Sequence, residues 1–338
     1  MHGSSAHESP IELFSTCPPS SGVAREQYLR RVIDVARWSD EWGYRGILVY
    51  TDNGLLDPWL LAQLIIQHTT RLCPLVAVQP VYMHPYSIAK LVASLAHLYG
   101  RRVYLNMVAG GFANDLAALA DTTPHDRRYD RLVEYTAIIK ALLGTAAPVT
   151  HEGAFYTVSG LRLTPSLASD LVPGIFLSAS SEAGLAAARA LGATAVKYPK
   201  PAADEEVPQD ASIPFGVRVG VIARRTDDEA WEVAHARFPE DRRGQVIHQL
   251  AMKTSDSVWH RDLSRLPGDA AQGVYWLGPF QNYKTFCPYL VGSYERVGEV
   301  LTRYLAVGYT SFILDVPFDR DEQRHIDLGF KQALQVTS

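Results

Sequence analysis

The sequence predicts an α/β protein built as a single (β/α)8 TIM barrel with an inserted segment before the last strand. Eight short apolar runs have strand character, helical segments separate most of them, and 338 residues suffice for one large closed barrel. Runs such as Cys73 to Gln79 are apolar almost throughout, which is typical of parallel strands covered on both faces. Because parallel crossovers are right-handed, closure into a barrel is the common solution for such a repeat.

The first unit follows a short polar segment. Residues 1 to 9 are small and polar and are interpreted as a disordered leader, so one domain is predicted over residues 10 to 338. Ile11 to Phe14 is the first predicted strand. From Arg25 to Trp42 apolar residues recur at steps of three and four, which indicates an amphipathic helix, and Gly43 ends it.

The second unit joins an apolar strand to a capped helix. Gly46 to Tyr50 has strand character, and Asp57 and Pro58 precede the helix Trp59 to His68. An aspartate at the N-cap accepts free amide protons of the first turn, and proline suits the first helical position. These two residues therefore mark the start of the helix.

The alternation of strands and helices continues along the chain. Most of the later strands are again short apolar runs followed by a helical segment. The predicted pairs are strand Cys73 to Gln79 with helix Ser87 to Leu98, strand Arg102 to Val108 with helix Asp126 to Leu143, strand Gly174 to Leu177 with helix Ser181 to Leu191, strand Thr194 to Lys197 without a clear helix, strand Phe215 to Ala223 with helix Asp227 to Phe238, and strand Thr310 to Val316 as the eighth.

Three segments interrupt this alternation. Thr150 to Arg162 has β-rich flanks around a Glu-Gly pair and is predicted to form a hairpin. Pro199 to Ser212 is rich in proline and acidic residues, so the helix after the sixth strand is expected to be lost or very short. Residues 241 to 293 have little parallel-sheet character and are predicted to form an insertion that acts as a lid.

Composition excludes several classes of function. The formal charge of -4 comes from interspersed acidic and basic residues, so no basic stripe is available for a nucleic-acid backbone. No apolar run approaches the roughly 20 residues of a membrane-spanning helix, and no export signal is recognised, so a cytoplasmic protein without a membrane partner is expected. Cys17, Cys73 and Cys287 are too few and too scattered for a disulfide framework and are predicted to be free thiols.

The loops at the carboxyl ends of the strands carry the candidate site, because barrel enzymes place their chemistry there. Asn106 to Gly111 follows the fourth strand and contains small residues that let backbone amides approach a ligand. Ser180 and Ser181 follow the fifth strand at a helix N-terminus, where the helix dipole favours an anion such as phosphate. With the hydroxyl of Tyr129 they predict a phosphate pocket. The alternative for the serine pair is a plain N-cap.

The order and spacing of many short motifs resemble the luciferase-like flavin monooxygenases over nearly the whole chain, most closely their alkanesulfonate monooxygenase branch. Each motif is weak alone, and the resemblance rests on their succession. The motifs are Gly43 to Gly46, Asp57 to Trp59, Gln79-Pro80 with His84-Pro85, Asn106 to Gly110, His125 to Tyr129 with Glu134, Ser180-Ser181, Phe215 to Arg218, Thr254 to Val258, Leu290 to Gly292 and Gly308 to Phe312.

The resemblance implies a cofactor and partners. It implies a two-component (group C) monooxygenase that uses reduced FMN from a separate NAD(P)H:flavin reductase, takes O2 as co-substrate and forms a homodimer or homotetramer. By position, Ser180, Ser181 and Tyr129 resemble phosphate contacts. The resemblance also implies that Gln79, Asn106 and Ala109 are neighbours of the flavin ring. The candidate catalytic residues that it implies are Arg218, His84 and Lys284.

Arg218 has a second interpretation, since it could pair with a buried carboxylate, but its place in an apolar strand favours a functional charge. The sequence also departs from the sulfonate branch. Leu55 stands in place of a cysteine, Gly220 in place of a histidine, and Val316-Pro317 near the place of a tyrosine. Because a sulfonate needs several cationic or donor groups to offset its desolvation, desulfonation is not favoured.

The insertion is rich in aromatic residues that are predicted either to cover an apolar or acyl substrate or to pack the lid or a dimer contact. These are Tyr275, Trp276, Phe280, Tyr283, Phe286 and Tyr289. The leading hypothesis is a monooxygenase acting on a small or carrier-protein-bound substrate in natural-product biosynthesis. The alternatives are a deazaflavin-dependent oxidoreductase and a non-catalytic flavin-binding protein.

Overall fold

A closed barrel of eight parallel strands forms the centre of the protein. The computed structural model describes residues 11–110, 113–179, 181–207, 212–254 and 273–337. The strands are β1 (Glu12–Thr16), β2 (Gly46–Val49), β3 (Cys73–Val78), β4 (Tyr104–Met107), β5 (Val149–Glu152), β6 (Thr157–Leu161), β7 (Ile175–Ser178), β8 (Thr194–Lys197), β9 (Phe215–Arg224), β10 (Tyr275–Trp276), β11 (Tyr289–Ser293) and β12 (Tyr309–Leu314). The barrel order is β1-β2-β3-β4-β7-β8-β9-β12, and the β12 to β1 pairing closes it. The predicted fold class and all eight predicted barrel strands are confirmed.

Helices surround the barrel in the described residues. They are α1 (Arg25–Glu41), α2 (Pro58–His68), α3 (Pro85–Tyr99), α4 (Ala113–Ala118), α5 (His125–Gly144), α6 (Glu182–Leu191), α7 (Asp227–Arg237), α8 (Arg242–Thr254), α9 (Gly278–Gln281), α10 (Tyr294–Val307) and α11 (Arg320–Thr337). The predicted start of α2 is confirmed, since the Asp57 carboxylate accepts the Trp59 and Leu60 amide hydrogens and Pro58 is the first helical residue. None of the described helices is long and apolar enough to cross a membrane.

The barrel interior is filled by large side chains from successive strands. Phe14 of β1 is fully buried and contacts the rings of Tyr104 and Phe176 edge-on, with ring centroids 5.5 and 5.1 Å apart. A side chain at Gly46 would place its Cβ 2.2 Å from the Cys73 carbonyl oxygen and against Phe14, so only glycine fits beside this ring. This layer is the floor of the barrel. All three cysteines are buried free thiols, as predicted.

Strand alternation decides which residues stand above this floor. Side chains two positions apart on a strand face the same side. Leu48, Val196 and Ile313 belong to the interior cluster, so the residues two positions further along β2, β8 and β12 face the carboxyl mouth of the barrel. They are Tyr50, Tyr198 and Asp315.

The predicted hairpin is confirmed as the antiparallel pair β5 and β6. Its connecting loop is held by Glu134 of α5, whose carboxylate accepts hydrogen bonds from the amides of Phe155 and Tyr156 at 3.1 and 2.6 Å. A Cβ at Gly153 would lie 2.2 Å from the Glu134 carboxylate. Glu134, a motif residue in the sequence, therefore anchors the hairpin.

Residues 199–207 and 212 contain turns and irregular structure and no helix, in agreement with the prediction for the segment after the sixth strand.

The insertion differs from its prediction. β11 pairs in parallel with the second half of β9, from Gly220 to Arg224. The reason is that β9 has 10 residues and runs beyond the part paired with β12, which leaves an open edge that β11 fills. Residues 255–272 of the insertion lie outside the described residues.

Candidate functional site

Arg218 lies at the barrel mouth between two tyrosines. Its guanidinium is centred 4.7 Å from the Tyr50 ring and donates hydrogen bonds to the hydroxyls of Tyr50 and Tyr198. Among the described residues no carboxylate lies within ion-pair distance of Arg218, and its buried Nε has no hydrogen-bond partner there. The predicted alternative of a buried carboxylate partner is therefore not what the described part of the chain shows. An arginine remains charged in this setting, so it presents a positive charge with unused donor capacity.

Burial keeps the two phenols neutral. It raises the pKa of Tyr50 and of Tyr198, and the neighbouring Arg218 charge offsets part of that rise. A neutral phenol can accept the hydrogen bond from the guanidinium and still has its own proton to donate. The group is therefore a cation with two polarisable hydroxyls, suited to bind an oxygen atom that carries or develops negative charge.

Asp315, directly after β12, lies at the end of the strand next to that of Arg218. Thr285 and Tyr289 donate hydrogen bonds to its Oδ2, the latter at 2.8 Å, and no described residue donates to Oδ1. Asp315 influences the ionisation of Tyr50, Tyr198 and Arg218 electrostatically without forming an ion pair. One oxygen is thus fixed by the protein, while the other is available to a ligand.

Tyr289 explains one departure from the sulfonate pattern. It pairs with Gly220 across the β9 to β11 ladder, and a Cβ at Gly220 would lie 2.3 to 2.5 Å from carbon atoms of its ring. The aromatic ring therefore fills the space where the sulfonate branch has its histidine. Leu55, at the position of the missing cysteine, lines a cavity beside the mouth.

Tyr129 and Ser181 lie together at the N-terminus of α6. The Ser181 hydroxyl hydrogen-bonds with Tyr129 and also caps α6 by accepting the Gly184 amide hydrogen at 3.1 Å. A Cβ at Gly184 would meet the Ala179 Cα at 3.1 Å and the Tyr129 hydroxyl at 3.3 Å, so glycine lets strand end, helix and phenol approach closely. The phosphate and N-cap interpretations of Ser181 are therefore compatible. Ser180 lies outside the described residues.

The predicted flavin-ring neighbours lie at adjacent strand ends. Gln79 follows β3, Asn106 lies in β4, and Ala109 is half-buried in the next loop. Gln79 and Asn106 are 8 % and 9 % exposed, and neither side chain bonds to another described residue. Because buried amides are normally paired, these two have donor and acceptor groups ready for a ligand.

A cavity of about 270 Å³ opens beside Gln79. The loops after β2 and β3 line it, with Asp52, Leu55, Trp59 and Tyr82 among its walls. Its lining mixes polar and apolar groups, which suits an organic molecule with a few polar atoms.

His84 has a structural position. It is exposed and is the N-cap of α3, with its Nδ1 accepting the Tyr86 amide hydrogen at 3.2 Å. We expect His84→Ala to lower the free energy of unfolding by about 1 kcal/mol, because a helix cap is lost. His84→Asn should restore most of it in denaturant titrations. A large loss of oxygenation in the asparagine variant at unchanged stability would instead indicate the predicted catalytic role.

Lys284 forms an ion pair with Asp241, with 2.6 Å between Nζ and Oδ2, and 42 % of its side chain is exposed. It contacts none of the other predicted site residues that the structure describes. The structure thus brings Arg218 to the mouth, whereas His84 and Lys284 are engaged elsewhere.

The insertion aromatics divide between packing and the site. Trp276 packs against Trp231 of α7 at 5.4 Å, and Phe280 packs against His248 of α8 at 4.6 Å between ring centroids. Tyr289 is the member that reaches the mouth, through Asp315. The packing role is therefore seen for Trp276 and Phe280, and the role of covering a substrate stays a prediction.

Sequence reasoning missed Tyr50, Tyr198, Asp315 and Tyr289. The first three come directly after the observed strands β2, β8 and β12, all of which the sequence predicts, and counting two positions on from the buried residues of each strand would have indicated them. Tyr289 carries no such signal, because its position depends on a strand that was not predicted. Within the described residues no group of histidine, cysteine, aspartate or glutamate side chains is arranged to hold a metal ion.

Comparison with known proteins agrees with this geometry. The chain is 33% identical over 310 residues to the 4-(gamma-L-glutamylamino)butanoyl-[BtrI acyl-carrier protein] monooxygenase BtrO of Niallia circulans, covering 89% of this chain and 90% of that protein. Among solved structures it resembles the long-chain alkane monooxygenase LadA, with a TM-score of 0.72, 16% identity and coverage of 98% and 92% of the two chains. It also resembles the EDTA monooxygenase EmoA from Chelativorans sp. BNC1, with a TM-score of 0.70, 16% identity and coverage of 96% and 93%. At such identities these two structures show a common fold.

The model of the luciferase-like monooxygenases matches residues 11–311, which is most of the chain and includes every described site residue except Asp315. With the closed barrel and the mouth residues described above, this match confirms the family inferred from the motifs. The chain belongs to the luciferase-like monooxygenase family.

Proposed function

We propose that this chain is the oxygenase of a two-component system, which uses reduced FMN from a separate NAD(P)H:flavin reductase to insert one atom of O2 into a carrier-bound acyl substrate. The observation that carries the proposal is that an anion cradle at α6 and the Arg218 group lie at the same mouth of the barrel. The first suits a nucleotide phosphate and the second suits a polar reacting group.

The phosphate would be held at the start of α6. Tyr129 and Ser181 contribute hydroxyls there, and the absence of a side chain at Gly184 lets the Tyr129 hydroxyl lie close to the helix. The dipole of the helix adds a favourable interaction with the negative charge. This fit follows from the chain itself, because a side chain at Gly184 would crowd the Tyr129 hydroxyl.

The flavin ring would lie between the ends of β3 and β4. Gln79 and Asn106 have side-chain amides there, without a hydrogen-bond partner among the described residues, that match the donor and acceptor edge of an isoalloxazine. When bound, the reduced flavin supplies the electrons and the position at which O2 is activated. The role of the protein is to bind and orient both reactants and to limit access of water.

The proposed substrate class is supported by the relative BtrO and by the residues at the barrel mouth. BtrO acts on an acyl group carried by an acyl-carrier protein, according to its name. In this chain Arg218 has free donor capacity suited to a thioester carbonyl, and the cavity of about 270 Å³ has room for a short acyl chain. We therefore place this enzyme in natural-product biosynthesis, with a carrier-bound acyl thioester as substrate.

The phosphate cradle gives a direct test. Tyr129→Phe and Ser181→Ala are each expected to weaken FMN binding about tenfold, because a hydrogen bond to a charged group contributes about 1.5 kcal/mol. Binding is measured by anaerobic titration of reduced FMN, followed by tryptophan fluorescence. Riboflavin, which lacks the phosphate, serves as the matched ligand and should be bound equally by wild type and variants.

If the variants lose affinity for riboflavin and FMN equally, the phosphate cradle is contradicted. If the protein binds a deazaflavin instead of FMN, the proposed cofactor is wrong.

The two-component arrangement predicts that NADH oxidation requires an added flavin reductase. With the reductase, FMN, a butanoyl-pantetheine thioester and isotopically labelled O2, mass spectrometry should find one labelled oxygen atom in the product. Oxygen consumption without labelled product would contradict the oxygenase function.

A further inference from the structure

A carboxylate and a cation lie at the ends of neighbouring strands at the barrel mouth, and within the described residues they do not form an ion pair with each other. Asp315 has one oxygen anchored by Thr285 and Tyr289 and the other without a described donor. Arg218 has a buried Nε without a described acceptor. Arg218 is held by the hydroxyls of Tyr50 and Tyr198 instead of by a described carboxylate, so Arg218 and Asp315 each keep hydrogen-bonding capacity that no described residue uses.

The anchoring of Asp315 fixes the direction of its free oxygen. Thr285 and Tyr289 are 7 % and 3 % exposed, so both donors belong to the packed interior. The Tyr289 ring is held in turn against Gly220 and beside Phe238, with ring centroids 5.0 Å apart. A carboxylate fixed in this way loses little conformational freedom when it acts on a substrate.

The chemistry that needs such a pair is removal of a proton from carbon. The carbon next to a thioester carbonyl is a weak acid, and its ionisation is favoured when a base receives the proton and a cation binds the oxygen on which the charge develops. Asp315 and Arg218 supply these two functions from strands β12 and β9, which are neighbours in the barrel.

We propose that Asp315 is the general base and Arg218 the oxyanion-binding group of an enolisation step, which makes acyl thioesters with a hydrogen on the carbon next to the carbonyl the substrates of this enzyme. This rests on the proposed function and deepens it. The C–H bond breaks and its proton moves to Asp315 Oδ1. The electron pair forms the carbon–carbon double bond of the enolate, and the carbonyl pair moves to the oxygen bound by Arg218.

The enolate is then oxygenated at its carbon. Its carbon takes one oxygen atom of O2, with the reduced flavin as the source of two electrons, and a new carbon–oxygen bond forms beside the thioester. The second oxygen atom leaves as water with two of the three protons that the base and the flavin release, and the third proton completes the new hydroxyl group. The product is a thioester hydroxylated next to its carbonyl.

Enolisation can be measured without oxygenation. Wild-type protein with reduced FMN is incubated under argon in D2O with butanoyl-pantetheine, and deuterium on the acyl chain is followed by mass spectrometry. Without O2 no product forms, so the returned substrate should gain deuterium next to the carbonyl. Pivaloyl-pantetheine, whose corresponding carbon has no hydrogen, is the matched substrate control and should gain none.

Asp315→Asn is expected to slow this exchange about 100-fold, within the usual range for loss of a general base. The control variant Asp321→Asn removes a carboxylate that is 79% exposed and should exchange like wild type. FMN binding and the thermal unfolding temperature are measured on each variant. A folded Asp315→Asn protein that binds FMN and still exchanges at the wild-type rate overturns the inference.

The wild-type protein separates this inference from the proposed function. If it binds FMN and oxygenates the thioester but does not exchange deuterium, the enolisation step is wrong and the oxygenase function stands. If it exchanges deuterium but does not bind FMN, the flavin-dependent function is wrong and the enolisation site stands. Exchange that requires Asp315, together with labelled product next to the carbonyl, supports both.

Discussion

Arg218→Met should lower the rate of thioester oxygenation by about 10² to 10³, the effect of removing one preorganised donor at a developing oxyanion. Methionine keeps most of the length and apolar volume of the side chain while it removes the charge that lies over Tyr50. Because β8 separates the strand of Arg218 from β7 and from the α6 cradle that follows it, reduced FMN should bind with nearly unchanged affinity. Steady-state product formation and anaerobic FMN titration measure the two effects separately.

The matched control for this change is Arg320→Met, which removes an arginine that is 70% exposed and pairs with Glu41 at the surface. An exposed ion pair contributes little, so this variant should retain activity and stability. Arg218→Lys keeps the charge but cannot reproduce the planar donor set. It should therefore recover only part of the lost rate. Full activity of the methionine variant would show that Arg218 has no role in the reaction.

Gly220→Ala should lower the free energy of unfolding by about 3 kcal/mol, at the upper end of the usual cost of overpacking. The added Cβ would lie 2.3 to 2.5 Å from ring carbons of Tyr289, and that ring is fixed by Asp315 and Phe238. The ring must move or β11 must separate from β9. Urea denaturation followed by circular dichroism gives the change directly.

The same substitution has a double-mutant test. If the clash with Tyr289 is the cause, Gly220→Ala combined with Tyr289→Ala should be less destabilised than the sum of the two single changes. Gly144→Ala is the control, because a Cβ there meets nothing within 4 Å. It should leave stability unchanged within about 0.5 kcal/mol. Strict additivity of the two changes at Gly220 and Tyr289 would show that the ring does not exclude the side chain.

Local sequence patterns predicted the barrel strands well. Each strand is a short apolar run covered on both sides, so burial leaves a signal in consecutive residues. Helix α10 shows what was available and missed. Ser293 caps it by accepting the Arg296 amide hydrogen, and Val297, Leu301 and Tyr304 repeat at helical steps on its buried face. These are the same signals that predict α1 and α2, so α10 was predictable from its sequence as well.

β11 was missed for a different reason. Its residues Tyr289 to Ser293 are few, and a run of this length does not by itself distinguish a strand from other buried segments. Its pairing depends on the open edge of β9, which exists only because β9 continues past its barrel neighbours. The prediction of little parallel-sheet character was wrong here because the partner strand decides the structure.

The candidate site was predicted in part. Tyr129 and Ser181 do contact each other, and Gln79, Asn106 and Arg218 do reach the mouth. Their roles toward the cofactor and the substrate stay predictions. His84 and Lys284 were chosen by position in the chain, and position does not show that one caps a helix and the other pairs with Asp241.

The sequence by itself determined the β/α alternation, the free thiols and the capped start of α2, because each depends on residues that are close in the chain or on composition. Only the tertiary structure decided that Arg218 rests on Tyr50, 168 positions away, and that Tyr289 occupies the space above Gly220. The physical reason is closure of the barrel. It brings the carboxyl ends of distant strands to one mouth, where side-chain partners are selected by register and volume rather than by neighbours in the chain.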